Sequence, residues 1–199
     1  MDLRSTARQL GVALRAMLVL TVVLGLAYTA VLTGVGQLLL PAQADGSRLE
    51  HDGAVVGSSL LGQGFVDADG APLPEWFQSR PSAAGDGWDA GASGGSNLGP
   101  ESDDLVAAIE ERRATVAELD GVDPEDVPVD ALTASASGLD PHVSPAYARQ
   151  QAARVAEARG LPVAEVERLV EEHVQGRDLG FLGEPRVDVL ELNVALADL

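Results

Sequence analysis

The sequence contains no cysteine and no lysine, so several kinds of chemistry are excluded at once. Without cysteine the chain forms no disulfide, no thiolate metal site and no cysteine nucleophile. Its three histidines, His51, His142 and His173, lie far apart and show no spacing typical of metal ligands. These absences argue against a zinc site and leave the redox compartment open.

Basic residues are also scarce, because 13 arginines stand against 31 acidic residues and the net charge is −18. Three of the arginines (Arg4, Arg8 and Arg15) precede the first apolar run, so the remainder of the chain is still more acidic. Such a surface repels nucleic acid and anionic lipid, and we expect no nucleic-acid partner. The acidity either concentrates cations near a pore entrance or reflects solubility alone.

Residues 16–36, "AMLVLTVVLGLAYTAVLTGVG", carry no charge and are mostly apolar. A helix of this length spans about 30 Å of hydrocarbon at ~1.5 Å per residue. The three preceding arginines predict a cytoplasmic N-terminus (residues 1–15) and an extracytoplasmic domain (residues 37–199) in the cell membrane. A cleaved signal peptide is the alternative, since Ala42-Gln43-Ala44 has the form of a cleavage site, but the apolar run is longer than such peptides use.

Small residues recur every four positions within this span, at Thr21, Gly25, Thr29 and Thr33. On a helix they share one face, and small side chains let a second membrane helix approach closely. We expect this face to pack against a partner's helix, although threonine and glycine are also tolerated against lipid.

The remainder predicts one α+β domain. Residues 52–66 indicate a strand pair or a bulged strand, and residues 72–100 a long loop. Helices are predicted from Ser102 to Asp120, from Ser144 to Gly160 and over residues 162–174, because capping residues flank each apolar pattern. Residues 123–135 predict a turn and a short extended segment, and alternation over residues 190–196 predicts a strand.

Gly91-Ala92-Ser93-Gly94-Gly95 fits the G-x-S-x-G pattern of serine hydrolases, and Asp140 with His142 or His173 follows in suitable order. However, no apolar strand precedes Ser93 and no helix follows it directly, so a secreted or anchored serine hydrolase using Ser93 is kept only as the alternative function. The phosphate-loop pattern is missing too, because no lysine follows the glycines. Residues 67–70 lack the ligands that would complete a calcium loop.

Six segments occur in an order that resembles one known family: "GQLLLPAQADGS", "VVGSSLLGQ", "SRPSA", "ASGGSNLGP", "TASASGLDPHVSPAYA" and "GRDLGFLGEPRVDVLELNVAL". Together they resemble the C subunit of the Kdp-type potassium-transporting ATPase, from the membrane span to the end of the chain. Departures are mild: Ser79, Trp88 and Asp89 differ from the usual residues, and Asp188 stands where asparagine is common.

The resemblance implies a non-catalytic accessory subunit of an ATP-driven, high-affinity potassium import complex. Its expected partners are a potassium-selective, channel-like subunit and a P-type ATPase subunit that binds ATP. The family's C subunit is needed for assembly and is described as a catalytic chaperone that raises the ATP affinity of the pump.

The same resemblance assigns nucleotide contact to Ser93, Gly94, Gly95 and Ser96, which look like the L-S-G-G-Q signature of ABC ATPases with Ser96 in place of glutamine. A domain outside the membrane does not meet cytoplasmic ATP. The expected route from this chain to the nucleotide is therefore allosteric, through the membrane helix.

Overall fold

The computed structural model describes residues 3–199, which divide into two compact units, one up to Ser47 and the other from Arg48 to Leu199. The first unit is helical. It contains α1 (Leu3–Leu20), a π-helical stretch (Thr21–Tyr28), α2 (Thr29–Leu39) and the short α3 (Pro41–Ala44).

The apolar helix is longer than the predicted span at both ends. Thirty-six residues, Arg4–Leu39, are continuously helical, which corresponds to about 54 Å at ~1.5 Å per residue. No residue of its most apolar window is buried against the protein, as expected for side chains that face hydrocarbon. The helix ends at Leu40, where the backbone leaves helical geometry before Pro41.

The second unit mixes helices with two small antiparallel sheets and confirms the predicted α+β class. One sheet pairs β1 (Arg48–His51) with β2 (Ala54–Ser58), and the other pairs β3 (His142–Val143) with β4 (Val187–Asp188). The helices are α4 (Asp103–Asp120), α5 (Val129–Leu132), α6 (Pro145–Arg159), α7 (Val163–Glu172) and α8 (Val189–Ala197).

The β1–β2 hairpin lies at the N-terminal side of the predicted strand pair. Its two-residue turn, Asp52-Gly53, has φ of 51° and 76°. Positive φ at both positions is the geometry of a type I′ turn, which matches the twist of the flanking strands. Of the two alternatives the structure shows the strand pair, and its register shifts between Leu49 and Glu50.

Two of the local predictions are wrong. Residues 190–196 form helix α8 and not a strand; the buried residues Val189, Leu192, Asn193 and Leu196 follow a helical period that the polar Asn193 conceals in the sequence. Within residues 123–135 the turn is confirmed as a 3-10 helix at Pro124–Asp126, but the segment predicted to be extended contains α5.

The core is built around α6, which packs against α7 and α4. Its buried face includes three alanines, at positions 148, 152 and 156, and these small side chains let neighbouring elements come close. Ser144 caps this helix, since its hydroxyl accepts the backbone N–H of Tyr147 at 3.1 Å. From α7, Val166 and Val170 complete the contact.

A buried polar network ties the predicted long loop to this core. The guanidinium of Arg154 donates to Asp120 Oδ1 at 2.7 Å, to Trp76 O at 3.0 Å and to Gln151 Oε1 at 2.8 Å. Gln151 in turn accepts the backbone N–H of Gln78 and donates to its carbonyl. The side chains of Arg154 and Asp120 are only 6% and 1% exposed, so each charge depends on the other.

Asn193 makes an equivalent contact from α8. Its side-chain oxygen accepts the Phe77 N–H, and its amide donates to the Phe77 carbonyl, both at 2.9 Å. Loop backbone that lacks regular partners is thereby satisfied by side chains of two helices.

We expect Asp120→Ala to lower the free energy of unfolding by about 3–5 kcal/mol, because it leaves the Arg154 guanidinium buried and unpaired. The matched control is Glu172→Ala, which removes an exposed ion pair with Arg168 and should cost less than about 0.5 kcal/mol. Thermal unfolding of the full chain in mild detergent compares the two. Equal losses would contradict the central role of the buried pair.

Candidate functional site

Three segments that are far apart in the sequence meet at Gly138. Ser82 Oγ donates to the Gly138 carbonyl at 2.6 Å. Ser93 Oγ and the Gly94 N–H both donate to the carbonyl of Ser137, at 3.0 and 2.8 Å. We call these five residues the Gly138 junction, and it joins the motifs "SRPSA", "ASGGSNLGP" and "TASASGLDPHVSPAYA" into one structure.

Glycine is required at the centre of this junction for two reasons. Its φ is +66°, a left-handed conformation that other residues adopt at a cost. A Cβ at this position would also lie 2.7 Å from the backbone nitrogen of Ala84 and 2.7 Å from the carbonyl oxygen of Gly94. Gly95 is nearly as confined, because a Cβ there would lie 3.0 Å from the Ala136 carbonyl.

Gly138→Ala should therefore destabilise the chain by several kcal/mol, about 1–2 from the left-handed backbone and the remainder from the displaced Ala84 and Gly94 backbone. Gly121→Ala is the matched control, since Gly121 has the same φ of 66° and open space around it. Its cost should stay near the backbone contribution of about 1–2 kcal/mol. If thermal unfolding shows that both variants lose the same stability, the close approach of Ala84 and Gly94 to Gly138 does not constrain this position.

The four residues proposed for nucleotide contact lie in and beside the Gly138 junction. Ser93 and Ser96 are exposed, whereas Gly94 and Gly95 are half-buried. The Ser93 hydroxyl and the Gly94 amide are both used by the Ser137 carbonyl. An anion-binding loop needs amides that point to the ligand, so these two groups would have to exchange partners on binding. Nucleotide contact by this stretch stays a prediction from the family resemblance.

The residues named for a serine hydrolase separate into two places. Asp140 Oδ1 contacts His142 Nδ1 at 3.2 Å, as an orienting carboxylate would. Ser93, however, hydrogen-bonds the Ser137 carbonyl, and it does not line the cleft that contains Asp140 and His142. In the described residues its hydroxyl thus has no base beside it.

That cleft has a volume of about 550 Å³. Arg80 lines the cleft and donates to Asp140 Oδ2 at 3.0 Å and to the Thr133 carbonyl at 3.2 Å. Asp130 on its wall accepts the backbone N–H and the hydroxyl of Ser144, the cap of α6. Because these charged groups already bind one another or the backbone, their main effect is to stabilise the walls of the cleft.

Electrostatics in the cleft stabilise the ionised form of Asp140. Burial pushes the pKa of its carboxyl upward, but hydrogen bonds from His142 and the charge of Arg80 outweigh that effect and leave the pKa below its usual value. Asp140 is therefore a permanent anion at neutral pH, which suits a bracing role better than proton transfer.

Asp188 is the opposite case. It is 2% exposed, it caps α8 by accepting the Glu191 N–H at 2.9 Å, and it pairs with His142 across the β3–β4 sheet. Burial raises the pKa of its carboxyl to about 6, and the nearby Glu191 adds to the rise, while His142 and the capping bonds oppose it. Folding thus raises the affinity of this carboxyl for its proton, although the group is still mostly ionised at neutral pH.

A raised carboxyl pKa makes stability fall as pH rises from about 4, where the unfolded chain ionises, to about 6. Asp188→Asn keeps an oxygen for the helix cap and removes the charge. We expect the variant to match the parent at pH 4 and to exceed it at pH 7.5 by on the order of 1–3 kcal/mol. Thermal unfolding at both pH values measures this, and a parent as stable as the variant at pH 7.5 would contradict it.

The predicted packing face lies in the middle of the apolar helix, where the backbone widens into the π-helical stretch. Thr21 and Gly25 are neighbours on this face, because a Cβ at Gly25 would lie 3.9 Å from Thr21 Cγ2. Thr29 and Thr33 continue it in α2, and all four residues are exposed. Wide turns of this kind occur often at functional positions in helices.

The fold and these surfaces define a single-span, membrane-anchored protein with one α+β domain. Residues 10–198 match the family described as K+-transporting ATPase, c chain, and the chain belongs to that family.

The relatives cover nearly the whole chain. The potassium-transporting ATPase KdpC subunit of Kineococcus radiotolerans is 59% identical over 98% of this chain and 95% of its own length. Proteins of the same description from Gemmatimonas aurantiaca and Mycobacterium bovis are 53% and 51% identical, over 94% and 95% of this chain and 92% and 97% of their own lengths.

No sequence pattern predicted the contact between Arg80 and Asp140 or the buried position of Asp188. Arg80 and Asp140 both lie within recognisable motifs, but they are 60 residues apart and nothing in the sequence pairs them. Asp188 could be singled out only as a departure from the usual asparagine.

Proposed function

We propose that this chain is the non-catalytic, membrane-anchored accessory subunit of an ATP-driven, high-affinity potassium import complex, where it supports assembly and raises the ATP affinity of the pump subunit. One observation carries the proposal: the family match extends over residues 10–198 and so includes both the apolar helix and the domain. Family membership makes the chain a subunit of a potassium-transporting ATPase, and other subunits of that complex are its partners.

A non-catalytic role is supported by how the polar groups are used. Arg80, Asp140 and His142 contact one another, and Ser93 contacts a backbone carbonyl. A nucleophile beside a base, the minimum for covalent catalysis, is not found among these candidates in residues 3–199. ATP hydrolysis is accordingly proposed for the P-type ATPase subunit and potassium selection for the channel-like subunit.

The arginines before the span support a cytoplasmic N-terminus and an extracytoplasmic domain. In this orientation the domain would cap the potassium-selective subunit. From Arg48 onward it carries ten arginines and 29 acidic residues, a surface that attracts cations to the entrance that it covers.

An effect on ATP then has to cross the membrane. A chain that binds one conformation of the pump more tightly than another shifts the balance between them, and by linkage this changes the affinity for nucleotide. The helix with its small-residue face is the segment that reaches the pump within the bilayer. Direct contact of ATP with Ser93, Gly94, Gly95 or Ser96 would need the opposite orientation.

Gly25→Leu should reduce the amount of complex that co-purifies with the tagged chain, because a large side chain keeps a partner helix from approaching the face formed with Thr21. Complex that still forms should show a higher KM for ATP in potassium-stimulated hydrolysis. Ala27→Leu is the matched control, since it adds similar bulk two residues on, on nearly the opposite side of the helix. Pull-down in mild detergent and ATPase assays of the eluate measure both effects.

Undiminished recovery of the complex with Gly25→Leu would exclude the small-residue face as the contact. A wild-type chain that co-purifies alone, or only with copies of itself, would contradict the proposed function as a whole.

A further inference from the structure

A hairpin near the C-terminus ends in apolar side chains that nothing in the domain covers. Leu179 is 83% exposed, Phe181 is 70% exposed and Leu182 is 49% exposed. We call these three residues the apolar tip. Single exposed leucines are ordinary on protein surfaces, but three large apolar side chains at one turn form a patch.

The hairpin beneath the tip is held firmly. Asp178 and Leu182 exchange both backbone hydrogen bonds at 2.9 Å, and Gln175 and Arg186 do the same at 2.8 and 3.0 Å. Two ion pairs cross the stem, Arg177 with Glu184 and Arg186 with Asp178. The tip is thus presented in a defined position, so little conformational freedom would be lost when it binds.

The backbone of the turn is strained at Leu179, and no packing of this side chain within the domain compensates for the strain. Leu179 has φ of +53°, in the left-handed region where glycine and asparagine are suited and leucine is not. An exposed leucine in this conformation gains no packing energy within the domain. Strain together with exposure points to a contact outside the chain.

We propose that the apolar tip inserts into an apolar recess on a partner subunit of the same potassium-transporting complex. The inference rests on the proposed partnership and adds to it a second contact, separate from the membrane helix. Leu179 and Phe181 are the anchors, because an aromatic or aliphatic side chain that is buried in a pocket forms the centre of a binding interface.

Charge favours a protein recess over a lipid surface. Loops that enter membranes combine apolar residues with free basic residues for the anionic headgroups. Here both stem arginines are paired with acids, and the domain carries 29 acidic residues against ten arginines. The charges of the stem cancel, and the acidic domain around it is repelled by anionic lipid. The tip is therefore complemented by an uncharged apolar recess.

Size favours a partner that is already held nearby over a second free copy. Three side chains offer a few hundred Å², well below the roughly 1,200 Å² that a stable stand-alone interface buries. A contact this small is effective only when another contact keeps the partners together and raises their effective concentration. The membrane helix supplies such a tether on this chain.

A crosslinking experiment in membranes that contain the whole complex tests the proposal. Because the chain has no cysteine, Leu182→Cys creates its single thiol beside the two anchors, and a maleimide photo-crosslinker can be attached there. We expect the tagged chain to crosslink to a partner subunit severalfold more at position 182 than with Val106→Cys, an exposed site on α4.

The outcomes separate this inference from the proposed function. If the complex co-purifies but position 182 crosslinks no more than position 106, or crosslinks to lipid or to a second copy, the tip contact is wrong and the proposed function stands. If no partner subunit co-purifies with the parent chain, the proposed function fails as well.

A substitution in the turn adds a measurement that folding defects do not mimic. Leu179→Asn combined with Phe181→Ser should leave the melting temperature unchanged or slightly raised, because asparagine suits the left-handed turn and neither side chain is buried. In a Gly25→Leu background, where the helix contact is weakened, the double change should lower recovery of the complex about tenfold or more. Equal recovery with and without the tip would overturn the proposal.

Discussion

The ion pair between Arg154 and Asp120 is the constraint on which the architecture of the domain depends. A stretch of about thirty residues without strands or long helices has to cross the surface of α6, and its backbone groups need partners there. Arg154 reaches that backbone at Trp76, but only a paired guanidinium is tolerated in so buried a position. Asp120, the last residue of α4, therefore fixes the loop and the helices at once.

With the loop in this position, the glycine-rich and serine-rich motifs connect three segments of the chain. Ser82, Ser93 and Gly94 bind carbonyls of residues 137 and 138, and Gly138 permits the segments to touch. The residue types resemble those of catalytic and phosphate-binding loops because all three cases need close backbone approach. Here the close approach joins loop to loop, and the serine hydroxyls donate the hydrogen bonds that connect the loops.

The sequence predicted the elements that are marked by local signals and missed those that depend on tertiary contacts. The helices α4, α6 and α7 were predictable because caps such as Ser144 and terminal glycines mark their ends. Helix α8 was not predictable, because the buried Asn193 breaks its apolar period. Asn193 is buried because it forms two hydrogen bonds with the backbone of Phe77, and a contact between residues so far apart in the chain is not visible in the sequence. The same holds for the site: each motif was visible, but the pairing of Arg80 with Asp140 depends on the path of the loop.

The polar side chains of the cleft and of the hairpin stem bond mostly to one another, so few of them are free to recognise a partner through hydrogen bonds. The arginines there are paired with acids, and the net charge of the domain is negative. Recognition then falls to shape and apolar contact, which it offers in two places: the small-residue face around Gly25 and the apolar tip around Phe181. Each contact is weak alone. Once the membrane helix is bound, the apolar tip meets its partner at a high effective concentration, so a subunit that uses both contacts is held more tightly than either contact allows.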